Sequence, residues 1–231
     1  MSTIDRPGPQ VLPPLVAGQR LDQPTFHDRY AAMPEGTRAE LVGGVVSMPS
    51  PLFDDHGGDD FDVCGWLYHY KRRTPGLRGV SNVSTILGEG SEVQPDLQLR
   101  IPSNLGGRAR IEGGYVAGPP ELVVEISRSS RSYDLGSKKD DYERAGVPEY
   151  LFVGIEPEEA RWFALRDGRF VEMPPGGDGL LRSQVFPGLW LDPAALFAGD
   201  DERLIAALER GLATPEHAAF VAELARRAAG G

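Results

Sequence analysis

Apolar residues along this chain come in short runs divided by Gly, Pro and charge, a pattern of strands with a few helices between them. The most continuous run, Leu122-Val123-Val124, is β-branched and reads as a buried strand over 121–127 that ends near Glu125. Asp134, Lys138 and Tyr142 then recur at intervals of four, which puts them on one side of a helix over 134–145. Gly146 suits the C′ position of that helix and Pro148 prevents its continuation. Tyr150-Leu151-Phe152-Val153 begins the next strand, over 149–154.

Upstream, Thr25 is a candidate cap for a short helix through Phe26, Tyr30 and Met33. Residues 39–48 read as a tight hairpin around Gly43-Gly44. An amphipathic helix is expected over 59–73, with Phe61, Cys64, Leu67, Tyr68 and Trp66 toward the core. Lys71-Arg72-Arg73 suits its C-terminal end, where cations meet the helix dipole. Strands follow over 80–87 and 96–101, with Gly88-Glu89-Gly90 as a turn. Residues 102–120, rich in Gly and Arg, read as a long mobile loop able to contact a substrate.

Beyond the central stretch, 161–165 and 170–173 flank the turn Arg166-Asp167-Gly168-Arg169 as a second hairpin. Residues 185–191 read as a closing strand, and Asp192 as the cap of a short helix over 193–197. Two stripes follow, Leu204/Ile205/Leu208/Leu212 and Phe220/Val221/Leu224, the second introduced by Thr214-Pro215. The expected organisation is a Pro-rich arm over 1–24, one domain over 25–199 and a helical extension over 200–231. The extension packs either on the domain or on a partner.

Composition narrows the class. The 231 residues are 40% hydrophobic and 25% charged, proportions of a folded globular protein. No apolar run approaches membrane-spanning length, the N-terminal residues lack a signal-peptide pattern, and a cytoplasmic location is expected. The lone Cys64 excludes an internal disulfide and a cysteine-based zinc site. The net charge of −10 opposes coating of nucleic acid by bulk electrostatics. The stretch 71–144 is nevertheless near-neutral, with 12 basic and 10 acidic residues. Arg108, Arg110, Arg128, Arg131, Lys138 and Lys139 either line one groove or belong to a solvated mixed-charge face.

The chemistry-bearing set is Asp96 at the head of one strand, Glu125 at the end of another, and Lys138 on the following helix. Two carboxylates on neighbouring strands suit a hard divalent cation such as Mg²⁺, and a lysine beside them can orient water or balance developing negative charge.

These residues carry a resemblance. Pro95-Asp96 and Glu125-Ile126-Ser127 resemble the PD-(D/E)XK nuclease superfamily. The run Glu125-Ile126-Ser127-Arg128-Ser129-Ser130, the spaced Asp134, Lys138 and Tyr142, and Gly146-Val147-Pro148-Glu149-Tyr150 look more narrowly like the Uma2 endonuclease family, over about residues 25–198. Two departures stand out: Arg128 replaces a proline, and Ser127 stands where the superfamily has lysine, so the lysine role passes to the helix. The resemblance implies an α/β (α+β) fold with a restriction-endonuclease-like αβββαβ core, a mixed central sheet flanked by helices, and extra hairpins. It implies an Mg²⁺- or Mn²⁺-dependent endonuclease acting on DNA. Asp96 and Glu125 would hold the metal with the Ile126 carbonyl, and Lys138 would complete the site. It offers Glu40 as an outer carboxylate and His56 as a further catalytic residue. Two other readings stay open: a non-catalytic interaction module of the same fold, as a homodimer for example, and a hydrolase of small phosphoesters.

Overall fold

The computed structural model describes residues 12–48 and 54–230, with the side chains of residues 54–60 outside the description. The chain opens with α1 (Gln23–Ala31) and the hairpin β1 (Glu40–Val42) and β2 (Val45–Ser47), followed by α2 (Asp54–Arg73). Five strands come next: β3 (Arg78–Ser81), β4 (Thr85–Gly88), β5 (Ser91–Val93), β6 (Leu97–Arg100) and β7 (Arg110–Glu112). β8 (Tyr115–Ala117) and β9 (Leu122–Ser127) lead to α3 (Arg131–Tyr133), a wide turn at Asp134–Lys138, and α4 (Lys139–Ala145). Then come β10 (Glu149–Ile155), β11 (Glu158–Arg166), β12 (Arg169–Met173), β13 (Leu181–Arg182) and β14 (Trp190–Leu191). α5 (Pro193–Phe197), α6 (Asp201–Leu212) and α7 (Pro215–Gly230) close the chain.

The central sheet has the order β12-β11-β10-β9-β6-β3, with β9 and β10 parallel and their other neighbours antiparallel. The αβββαβ core is therefore α2, β3, β6, β9, α4, β10. The β4–β5 and β7–β8 hairpins leave it to join β1 and β2 in a second sheet, β2-β1-β5-β4-β8-β7. β9 is apolar on both sides because both sides are covered. Leu122 and Val124 point with Leu151 and Val153 toward α2, while Val123 points with Tyr150 and Phe152 toward α4. Tyr142 of α4 packs with Val42 and Val93 of the second sheet in that same cluster, so α4 lies between the two sheets. Gly43 and Gly44, at φ +58° and +74°, give the β1–β2 hairpin the left-handed turn that such a connection requires. The Gly43 amide donates to Asp141 of α4 at 2.7 Å, which pins the hairpin over that helix.

Several expectations are corrected. Asp22, not Thr25, caps α1, because its carboxylate accepts from the Thr25 amide at 2.8 Å. The face of α2 turned to the core carries Val63, Trp66, Leu67 and Tyr70, and Phe61 and Tyr68 are exposed on another. The strand expected over 80–87 breaks at Asn82, whose φ of +51° turns the chain from the central sheet into the second one. The expected loop 102–120 folds into the β7–β8 hairpin, parallel to β4 through β8, on a second left-handed turn at Gly113-Gly114. The helix expected over 134–145 is interrupted at Gly136 (φ −105°, ψ −111°). Of residues 185–191, only the last two form a strand.

The C-terminal helices pack on the domain. Leu204, Leu208, Leu212 and Leu224 enter the cluster that contains Trp66 and Tyr70. His69 and Arg73 of α2 both meet Glu209 of α6, and Arg227 of α7 donates to the Leu105 carbonyl. Residues before α1 are partly held as well: Leu15 is buried and the Gly18 amide donates to Val46. Residues 1–11 of the expected arm and residues 49–53 lie outside the described residues.

Candidate active site

The site forms where β6 and β9 meet beneath the hairpin β1–β2 and α4. Asp96 stands just before β6, in a turn held by the Asn82 amide, which donates to the carbonyls of Pro95 and Asp96. Its Oδ2 accepts from the Ile126 amide at 2.8 Å, tying the head of β6 to the end of β9. Glu125 is the residue before, on the face of β9 that looks at α4, and it is 2% exposed.

Lys138 enters from the turn between α3 and α4. Its Nζ lies 2.9 Å from Glu125 Oε1 and 3.1 Å from Glu40 Oε1, and the residue is 5% exposed. Tyr142, one turn on, donates its hydroxyl to the same Glu125 Oε1 at 2.5 Å. Glu40 is itself anchored by the Gln94 amide at 2.6 Å, two residues before Asp96. Asp134 accepts from Ser130 at 2.5 Å, and the Ser130 hydroxyl is 3.0 Å from that of Ser127.

Charge does not balance here. Among the described residues, four carboxylates (Glu40, Asp96, Glu125, Asp134) act on the ammonium of Lys138. Burial pushes Glu125 well above the ordinary carboxylate range; Lys138 opposes that shift, and Asp96, Asp134 and Glu40 add to it. For Lys138, burial favours the neutral amine, but the carboxylates, Glu125 foremost, outweigh it and hold the group well above the usual lysine value. Burial also raises Asp134. Glu125 Oε2 and Asp96 Oδ1 make no hydrogen bond or ion pair among the described residues. Two unengaged carboxylate oxygens in an anionic setting match the hard, oxygen-only ligation of Mg²⁺, which keeps several waters and needs only one or two protein carboxylates. Among the described residues, no three His, Cys, Asp or Glu side chains converge as a closed metal cage. The residues that would hold such an ion are Asp96 and Glu125, with the Ile126 carbonyl.

The sequence-expected residues thus divide. Asp96, Glu125, Ile126, Lys138 and Glu40 come together, with Glu40 acting on Lys138 as a second counterion. The side chain of His56 lies outside the described residues, although its backbone is in α2. The arginines proposed for one groove scatter instead: Arg108 donates to the Gly146 carbonyl, and Arg110, Arg128 and Arg131 pair with Glu112, Glu156 and Glu159. Lys139 turns away to sit over the Phe163 ring, 4.9 Å from its centroid. Sequence reading missed the Gln94 amide and the Ser127–Ser130–Asp134 chain of hydrogen bonds. The backbone donor leaves no sequence signal, and the serines were legible only as part of a motif.

Comparisons with known proteins bear on this geometry. The profile of the Uma2 family, described as "Putative restriction endonuclease", matches residues 24–194. No curated protein matches the chain. One similar solved structure is that of a putative nuclease belonging to DUF820 from Anabaena variabilis ATCC 29413. It is 15% identical with a TM-score of 0.57, over 74% of this chain and 96% of that one. At that identity the likeness shows a shared fold.

Proposed function

The chain belongs to the Uma2 family, and on that premise we propose that it is an Mg²⁺-dependent nuclease, able to use Mn²⁺, that hydrolyses phosphodiester bonds of DNA. The observation that carries this reading is the pair of unengaged oxygens, Asp96 Oδ1 and Glu125 Oε2, beside a buried, charged lysine. Asp96, Glu125 and the Ile126 carbonyl would hold a divalent cation, which would supply Lewis-acid polarisation of a phosphoryl oxygen and acidify a nearby water.

The chain's own residues do the rest. Lys138 presents a fixed positive charge where negative charge grows on the phosphate, and it can orient the attacking water. A preorganised cation in a dry site is worth several kcal/mol to a transition state. Glu40 and Tyr142 act as positioning residues: Glu40 holds the ammonium from the far side, and Tyr142 fixes the Glu125 oxygen that Lys138 meets. Substrate approaches from the Asp96 side, where a cavity of about 210 Å³ reaches Asp96 and Ile126.

The near-complete burial of Lys138 between Glu125 and Glu40 favours one rival, a non-catalytic module in which these three form a structural ion network. Incubation of plasmid and oligonucleotide DNA with Mg²⁺ or Mn²⁺ separates the two. The nuclease reading expects metal-dependent cleavage by the wild type and none by Asp96→Asn, which keeps an acceptor for the Ile126 amide. Equal cleavage by both proteins removes Asp96 from the site, and no cleavage under any metal favours the module.

A further inference from the structure

Phe61 and Tyr68 are 77% and 60% exposed, although both lie on a helix that has a complete core stripe of its own. They sit seven residues apart, two turns and about 10 Å along the axis, on one side of α2. Between them, Cys64 lines two adjoining cavities. One of about 170 Å³ runs past Tyr68 and Lys71 over Gly79 and Leu97, and the one of about 210 Å³ runs from Phe61 to Asp96. The cavities share Cys64, Ser81 and Leu97, so together they make one groove between α2 and the β3 edge of the central sheet. It ends at the carboxylate of the candidate active site.

Cations mark both ends. Lys71 pairs with no carboxylate among the described residues. Arg38 donates at 2.9 Å to the neutral amide of Asn82, which lines the Asp96 end. Several arginines on other faces are neutralised by carboxylates, among them Arg110, Arg131, Arg161 and Arg203. A protein with a net charge of −10 and paired arginines gains little from the phosphates of an intact duplex, which bury the faces of the bases in the stack. Exposed aromatic rings gain most from unpaired bases, whose faces are free to stack.

We infer that the α2 groove is a stacking subsite for an unpaired nucleic-acid strand, with Phe61 and Tyr68 each taking a base and Lys71 and Arg38 meeting the phosphates on either side. The interval between the rings accommodates about two to three nucleotides. The inference rests on the nuclease reading for its direction, because the strand runs toward Asp96. It assigns the site an unpaired or locally opened strand in preference to a closed duplex.

The test is fluorescence anisotropy in excess chelator with a labelled oligothymidylate of about twelve nucleotides and a duplex of the same length. Wild type is expected to bind the single strand more tightly than the duplex. Phe61→Ala and Tyr68→Ala should each weaken strand binding about 5- to 100-fold, and Phe61→Trp should restore it. Strand binding that depends on both rings in a protein that never cleaves would sink the nuclease reading and leave the subsite standing. Duplex bound as tightly as strand, or alanine variants that bind like wild type, overturns the subsite even if the protein cleaves. Sedimentation supplies the other overturning result: a wild-type dimer that Phe61→Ala and Tyr68→Ala dissolve would make this face a contact between two copies of the chain.

Discussion

Two glutamates on adjacent, parallel strands of one sheet are both buried, and they are treated in opposite ways. Glu149, on β10, is fully buried and points to the α2 side of the sheet with Leu151 and Val153. Both its oxygens are filled. Oε1 accepts from the amides of Gln184 and Val185, and Oε2 from the Ser183 hydroxyl and Trp162 Nε1. Glu125, on β9, points to the other side. One oxygen is shared by Lys138 and Tyr142, the other has no partner among the described residues, and three further carboxylates crowd it. Burial lifts both above the ordinary carboxylate range, but only for Glu149 do the neighbours consist of donors that oppose the shift. A buried carboxylate that is saturated ties loops together, whereas one left open among like charges is set up to receive a cation.

Exchange of each glutamate for glutamine gives the sharpest contrast. Glu125→Gln keeps an acceptor for Tyr142 and should lower metal-dependent cleavage by on the order of 10³-fold or more, with the fold retained. Glu149→Gln should leave the rate of the folded protein near wild type. Equal rate losses in the two variants would erase the distinction. Next in size is Lys138→Met, expected to cost on the order of 10²-fold in rate, against little change for Lys139→Met, whose ammonium lies over Phe163. Rate constants at saturating Mg²⁺ decide it, and near-wild-type values for both would take the α4 turn out of the site.

On the stability side, Glu149→Ala strips the acceptors from four donors. With each buried unsatisfied group costing about 1–3 kcal/mol, a loss of about 3 kcal/mol or more follows. For a chain of this size that lowers the melting temperature by about 6–12 °C. Asp96→Asn, which removes one of four crowded charges, should melt no lower than wild type. Smaller still is a pH effect at His217. Its ring is buried with Nδ1 on the Leu212 carbonyl and Nε2 on the Thr74 hydroxyl, and burial holds its pKa below the usual histidine value. A depressed folded pKa means that its contribution is present above about pH 6.5 and is lost as pH falls through the folded value. The melting difference between wild type and His217→Gln should therefore shrink on acidification, and a constant difference would contradict this.

The same contrast explains what the sequence made legible. β9, α4 and β10 were readable because Leu122-Val123-Val124, the spacing of Asp134, Lys138 and Tyr142, and Gly146-Val147-Pro148 are local signals. Asp96 and Glu125 stood out because each sits at a strand's end, and Lys138 because of its spacing with Asp134 and Tyr142 on the following helix. The saturated role of Glu149 was invisible, since its donors at 183–185 lie more than thirty residues away and two of them are backbone amides. The α2 face was misjudged at Phe61 and Tyr68 only, because they fit the same helical period as Trp66 and Leu67, which are in the core with Val63 and Tyr70. Only packing against β6 and β9 chooses the latter. The strand at 80–87 reads as continuous because nothing in Asn82 itself demands a left-handed backbone.

Titration calorimetry of the metal-free protein with Mn²⁺ tests most directly whether the open carboxylate pair is a cation site. Wild type and Lys138→Met should bind the ion, since lysine is no ligand, and Asp96→Asn and Glu125→Gln should not. Binding by Asp96→Asn and Glu125→Gln equal to wild type would place the ion elsewhere and contradict the account.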